Sequence, residues 1–127
     1  MNTRKRVIDM GNNNENSGDV VMEYINALDD GNYDLAARHI AEDVRIIGPV
    51  GETFGKPREF TNMLKRYHGT YEILKKFVDG EDVSLLYEFS TSGKSVYMSS
   101  WYKVRDGKIH FIRTVFDPSV FKQEGDR

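Results

Sequence analysis

Apolar residues recur at helical spacing through the first half of the chain and at every second position through the second half. Val20, Val21, Tyr24, Ile25 and Leu28 make one face of a predicted helix over Asp19–Asp30. Asp19 can cap its start, and Gly31 follows its end. A second helix begins near Asn32, carries Leu35, Ala36 and Ile40, and ends at Ala41-Glu42-Asp43. A short strand, Val44 to Ile47, then runs into a turn at Gly48-Pro49-Val50-Gly51. The third helix starts at Pro57, a residue suited to a first helical position. Phe60, Met63, Leu64 and Tyr67 fall at i, i+3, i+4 and i+7 on its apolar stripe, and Gly69 stops it.

From Thr70 the period changes to two. The pattern predicts strands over Thr70–Val78, Val83–Thr91, Lys94–Val104 and Lys108–Asp117. Asp79-Gly80, Ser92-Gly93 and Asp106-Gly107 separate them with hairpin chemistry. Three helices followed by a meander of long antiparallel strands make an α+β layout, with the helices covering one face of a curved sheet.

A length of 127 residues fits one domain, with enough chain to bury a core without covalent staples. The absence of cysteine excludes a disulfide framework, a thiolate nucleophile and a thiolate-ligated metal. A net charge of −2 supplies no field for nucleic acid or a membrane surface, so neither is expected as a partner. No apolar run approaches the roughly 20 residues that span a bilayer. The start of the chain lacks the apolar core of a secretory signal, and a cytoplasmic location is expected. Residues 1–18 read as a mobile, Asn-rich polar tail, with Arg4-Lys5-Arg6 as a solvated end. The domain is expected over 19–122, and 123–127 form a C-terminal tail.

Strand alternation gathers Leu85, Tyr87 and Phe89, then Met98, Ser100, Tyr102 and Val104, then His110, Ile112, Thr114 and Phe116. Added to Tyr24, Phe60, Met63, Leu64 and Tyr67, these line an apolar cavity dotted with hydroxyls. Such a lining suits a planar or polycyclic molecule with a few oxygens; the alternative is that the same side chains simply fill the core. Of the histidines, His110 shares the pocket parity, His39 sits on the second helix and His68 at a helix end. Scattered histidines with no i, i+4 pair give no metal site. Arg113 and Asp117 either bind an anion or form a surface ion pair, with Arg113 on the opposite parity from Thr114. Gly51 and Gly55 flank Glu52-Thr53-Phe54, which reads as a turn at the pocket mouth and not a phosphate loop.

Four strings carry a resemblance: Tyr24 to Gly31, Ala41 to Val44, Gly48 to Gly51, and Gly107-Lys108-Ile109 with Phe116-Asp117-Pro118. Over residues 19–122 they resemble the nuclear-transport-factor-2-like (cystatin-like α+β) superfamily. That group includes ketosteroid isomerase, scytalone dehydratase, limonene epoxide hydrolase and the SnoaL-like polyketide cyclases. The resemblance implies three N-terminal helices packed on a curved, mixed, mostly antiparallel sheet, forming a cone with an apolar pocket. It also implies a homodimer through the open sheet face.

Against the ketosteroid isomerase pattern, Tyr24 matches the hydrogen-bond donor on the first helix. Gly48 stands where the Asp base should be, and Ser100 where the second donor should be. Against limonene epoxide hydrolase, Thr114 stands where an acid is needed. The SnoaL-like cyclases rely on a pocket acid, and Asp117 is the nearest carboxylate, although parity separates it from Thr114 and Phe116. The resemblance therefore implies a SnoaL-like protein that binds a small apolar or polyketide-like molecule and uses no cofactor. As an enzyme it would be a lyase, isomerase or cyclase, with Tyr24 and Ser100 as donors and His110 or Asp117 as base. The alternatives are a non-catalytic binding module or sensor, which needs no base, and a structural homodimer whose cone is closed by Phe and Met side chains.

Overall fold

A computed structural model describes residues 17–121 of the chain. The reading of 1–16 and of 123–127 as tails lies outside those residues, but Ser17 and Gly18 are helical, so the first helix starts two residues before Asp19. The elements are α1 (Ser17–Asp29), α2 (Tyr33–Arg38), β1 (Ile40–Gly48), β2 (Gly51–Phe54), α3 (Pro57–Lys65), β3 (Thr70–Asp79), β4 (Asp82–Thr91), β5 (Lys94–Arg105) and β6 (Lys108–Val115). A 3-10 turn at Pro118–Phe121 closes the described chain.

The six strands form one open sheet in the order β2-β1-β6-β5-β4-β3. Every neighbouring pair is antiparallel except β1 and β6, which run parallel and make the sheet mixed. Burial along β4 and β5 alternates with period two, so one sheet face is covered and the other open. Val21, Tyr24, Ile25 and Leu28 of α1, all 2% exposed or less, pack on the covered face with Leu85, Tyr102, Ile109 and Ile112. α2 is held at its start by Asn32, whose side-chain oxygen accepts from the Leu35 amide at 3.1 Å.

The chain between α2 and α3 departs from the sequence pattern. α2 ends at Arg38, and Ile40 and Ala41 are strand residues, not the tail of a helix. The competing force is pairing: the Ile109 amide donates to the His39 carbonyl at 2.8 Å, and Ile40 falls opposite Ile109 in the parallel ladder. Ile40, Val44 and Ile46 thus enter the core at 7% exposure or less. Glu42 and Asp43 are exposed, at the irregularity between Ile40 and Arg45. Gly51-Glu52-Thr53-Phe54, expected as a turn, is an edge strand hairpinned to β1 through Pro49 and Val50. The α3 helix ends at Lys65, four residues before Gly69.

Two further irregularities bend the sheet. One lies in β3 between Ile73 and Lys75, the other opposite Lys103 and Val104. In the second, Lys103 faces Phe111 while Val104 faces Ile109, so His110 is the extra residue of a bulge. The expected grouping of His110 with Ile112, Thr114 and Phe116 fails there, because a bulge inverts the parity of everything before it. The last strand also stops at Val115, leaving Phe116 and Asp117 beyond the ladder.

Candidate functional site

Between α1, α3 and the covered face of the sheet lies a cavity of about 570 Å³. α1 contributes Tyr24, Ile25 and Leu28. The stripe Phe60, Met63, Leu64 and Tyr67 faces it from α3 and the turn that follows. This explains why Met63 and Tyr67 stay 36% and 47% exposed: they overhang the cavity and do not rest on the sheet. Tyr71 from β3, Tyr87 and Phe89 from β4, Met98 and Tyr102 from β5, and Ile112 and Thr114 from β6 make the sheet wall. Phe116 and Phe121 close one side, with Phe121 packed edge-on against Phe116 (5.5 Å between ring centres) and Tyr67 (5.9 Å).

The polar atoms facing this apolar space are almost all hydroxyls. The Tyr87 hydroxyl lies 2.8 Å from Ser100 Oγ, and Ser100 Oγ lies 2.9 Å from Thr114 Oγ1. Tyr87 and Thr114 reach the cavity; Ser100 is 1% exposed and stands behind them. Tyr24 is 2% exposed, its ring edge-on to Tyr102 at 6.2 Å, and among the described residues its hydroxyl has no hydrogen-bond partner. Burial pushes the Tyr24 and Tyr102 phenols well above their ordinary range, and neighbouring tyrosine hydroxyls push them further. Tyr71 and Tyr87 are raised for the same first reason, with the neighbouring hydroxyls of Ser100, Tyr102 and Thr114 offsetting part of the effect at Tyr87. All four phenols therefore stay protonated at neutral pH and act as neutral donors.

Among the described residues, Glu52 is the one carboxylate in the lining, and no imidazole lines it. His110 lies outside the cavity, with Nδ1 3.4 Å from Asp43 Oδ1. Asp117 is exposed and caps the 3-10 turn, accepting from the Ser119 amide at 3.0 Å and from its hydroxyl at 2.8 Å. Those two hydrogen bonds hold its carboxyl below the usual carboxylate range. Glu52 borders the rim, but it pairs with Ile47, whose neighbour Ile46 is the one facing the core. Its carboxylate is paired with Arg45. Gly48, at the place of a catalytic carboxylate in the resemblance, lines the cavity with open space around a would-be Cβ. Among the described residues, no cluster of three or more His, Cys, Asp or Glu could hold a metal. No helix among them is long and apolar enough to cross a membrane.

Tyr71 and Phe121 were not picked out from the sequence. Tyr71 was within reach, since it alternates with Ile73 on a strand that the pattern located. Phe121 had no signal, because its placement depends on the turn after Pro118.

A family model described as a SnoaL-like domain matches residues 21–112. No curated protein matches the sequence. Among solved structures, the chain is similar to a nuclear-transport-factor-2-like protein of unknown function from Cytophaga hutchinsonii. The two share 29% identity over 84% of this chain and 95% of that chain, with a TM-score of 0.77. It is also similar to a de novo designed protein with a curved β-sheet, at 29% identity over 85% and 90% of the two chains and a TM-score of 0.74. An epoxide hydrolase from M. tuberculosis, described as LEH-like, has the same fold at 19% identity, covering 83% and 85%, with a TM-score of 0.71.

Proposed function

The chain belongs to the SnoaL-like domain family, and from that premise we propose that it binds a small, neutral, largely apolar molecule carrying oxygen. The observation that carries this reading is the Tyr24 hydroxyl, which is buried against the cavity with no partner among the described residues. An unpaired buried hydroxyl is costly, and a ligand oxygen is the natural acceptor for its proton. The volume of about 570 Å³ is in the range of small-molecule sites. It argues against a cone filled by its own Phe and Met side chains.

The same geometry favours binding over base-catalysed isomerase, cyclase or lyase chemistry. A general base must come within hydrogen-bond reach of its proton, and neither His110 nor Asp117 faces the cavity. Anions are also poorly served, since among the described residues no cationic side chain lines the cavity. Native mass spectrometry of protein purified from cells, compared with the denatured mass, tests the proposal. A retained molecule of neutral, oxygen-bearing formula supports it. Bare protein that also fails to take up apolar ketones or phenols in titration refutes it.

A second copy of the chain on the open sheet face is part of the same proposal. Phe77, Tyr97, Trp101 and Val115, 39–60% exposed, stand on that face. Lys103 lies over Trp101 and Phe111 (5.1 and 5.7 Å to the ring centres), with Asp82 opposite it in the ladder and Arg113 opposite Trp101. Mixed signs on an apolar face suit packing against an identical surface.

A further inference from the structure

We infer that the cavity selects a molecule carrying both a hydrogen-bond acceptor and a hydrogen-bond donor, engaged at Tyr87 and Thr114, and that Ser100 couples these two contacts. This rests on the small-molecule reading above and narrows it to hydroxyketones and enolised dicarbonyls on an apolar frame.

The argument is a count of protons. Tyr87, Ser100 and Thr114 form a chain of three hydroxyls joined by two contacts of 2.8 and 2.9 Å. Each hydroxyl brings one proton and can accept at its lone pairs. Two protons fill the two links and one is left over. Ser100 is 1% exposed and does not reach the cavity; Tyr102 bears on it electrostatically, but among the described residues its contacts of hydrogen-bond length are with Tyr87 and Thr114, so its proton goes to one of those two. The remaining arrangement, with both neighbours donating to Ser100, leaves its proton buried and unpaired, which is costly. Ser100 therefore donates to one neighbour and accepts from the other.

The chain can run either way, but it always has two unlike ends. One end has a free proton; the other has spent its proton and offers only lone pairs. Both ends line the cavity. A carbonyl that accepts from one end fixes the direction of the chain, and the opposite end then accepts a ligand O–H. Two carbonyls would leave one of them facing a lone pair. The burial of Tyr87 keeps its phenol protonated, so the count holds at neutral pH.

A binding cycle with four compounds on one ring frame tests this on the full-length chain by calorimetric titration. The compounds are tetralin, α-tetralone, the matching phenol without the ketone, and α-tetralone with a ring hydroxyl meta to the carbonyl. In the wild type, the hydroxyketone should bind about fivefold tighter than the product of the two single-group gains predicts. In Ser100→Ala the factor should fall to within about twofold of unity, while the gains from single groups persist. If Ser100→Ala does not fold, Thr114→Val removes one end of the chain and should abolish the same factor. A wild-type factor near unity, or an unchanged factor in the variant that folds, overturns the coupling and leaves the binding proposal standing. Failure of all four compounds to bind, tetralin included, overturns the binding proposal and the coupling with it.

Discussion

Gly69 lies against Ser90 so closely that a Cβ on it would stand 2.1 Å from the Ser90 carbonyl oxygen. The contact is with strand backbone, which cannot move aside without breaking the pairing of Thr70 with Ser90. This glycine does not end α3; it lets the incoming chain meet the sheet edge. Gly69→Ala should cost about 3 kcal/mol, read as a lower urea midpoint at unchanged slope. A change below about 0.5 kcal/mol would show that the chain at 69 yields freely.

Tyr24→Phe should move two quantities in opposite directions. Without ligand, removing a buried hydroxyl that lacks a partner should leave the thermal midpoint unchanged or raise it. Affinity for an oxygen-bearing ligand should fall about tenfold, the value of one lost hydrogen bond of about 1.4 kcal/mol. Parallel losses of stability and affinity would mean that the hydroxyl has a structural role.

Alkaline pH should unfold the protein through its tyrosines. Burial raises the folded-state pKa of Tyr24, Tyr71, Tyr87 and Tyr102 above the ordinary 10.0. Below pH 10.0 folded and unfolded forms are both neutral, so these groups take nothing from stability. Above it the unfolded phenols ionise while the folded ones resist, and stability declines as pH rises. Phenolate absorbance from these four should appear together with the loss of far-ultraviolet circular dichroism. Their titration ahead of unfolding would contradict the burial.

Replacing His110 by Ala should leave ligand binding unaltered, because its ring faces Asp43 outside the cavity. Asp117 acts through the turn that it caps. Its lowered pKa means that its contribution is complete above the ordinary 3.8 and is lost as pH falls through the lower folded value. Resonances of the Phe121 ring should shift in that acidic window in the wild type and be insensitive to it in Asp117→Ala. Identical acid titrations in both proteins would dissociate the cap from the ring.

Sedimentation velocity should find a dimer that Val115→Lys with Trp101→Ala converts to a folded monomer. Both side chains stand on the open face, 60% and 39% exposed, and neither touches the cavity. A wild-type monomer at high concentration would remove the second copy from the proposal.

The helical stripe of α1 and the alternation of β4 and β5 were legible because each buries one face, and a period of 3.6 or 2 is the trace that one-sided burial leaves in sequence. Ile40 was not, since a lone apolar residue after a short helix fits either period, and only the distant Ile109 decides for a strand. His110 was misplaced for a related reason: a bulge inserts a single residue and leaves no compositional mark in Lys108-Ile109-His110-Phe111. The hydroxyl positions were readable one by one. Their joining into a chain through Ser100 depends on cross-strand register, which brings Ser100 beside Leu85 and Thr114.

The parallel pairing of β1 with β6 sets the order in which the chamber can come into being. β3 to β6 are joined by short hairpins and can assemble from neighbours in sequence, within microseconds per hairpin. Val44 and Ile46 must wait for a strand more than sixty residues ahead of them. A chain emerging from the ribosome therefore leaves β1 without its parallel partner until Lys108–Val115 has been made. The wall that carries Thr114 is the same late strand, so the nascent protein becomes competent for ligand only after Lys108–Val115 has been added.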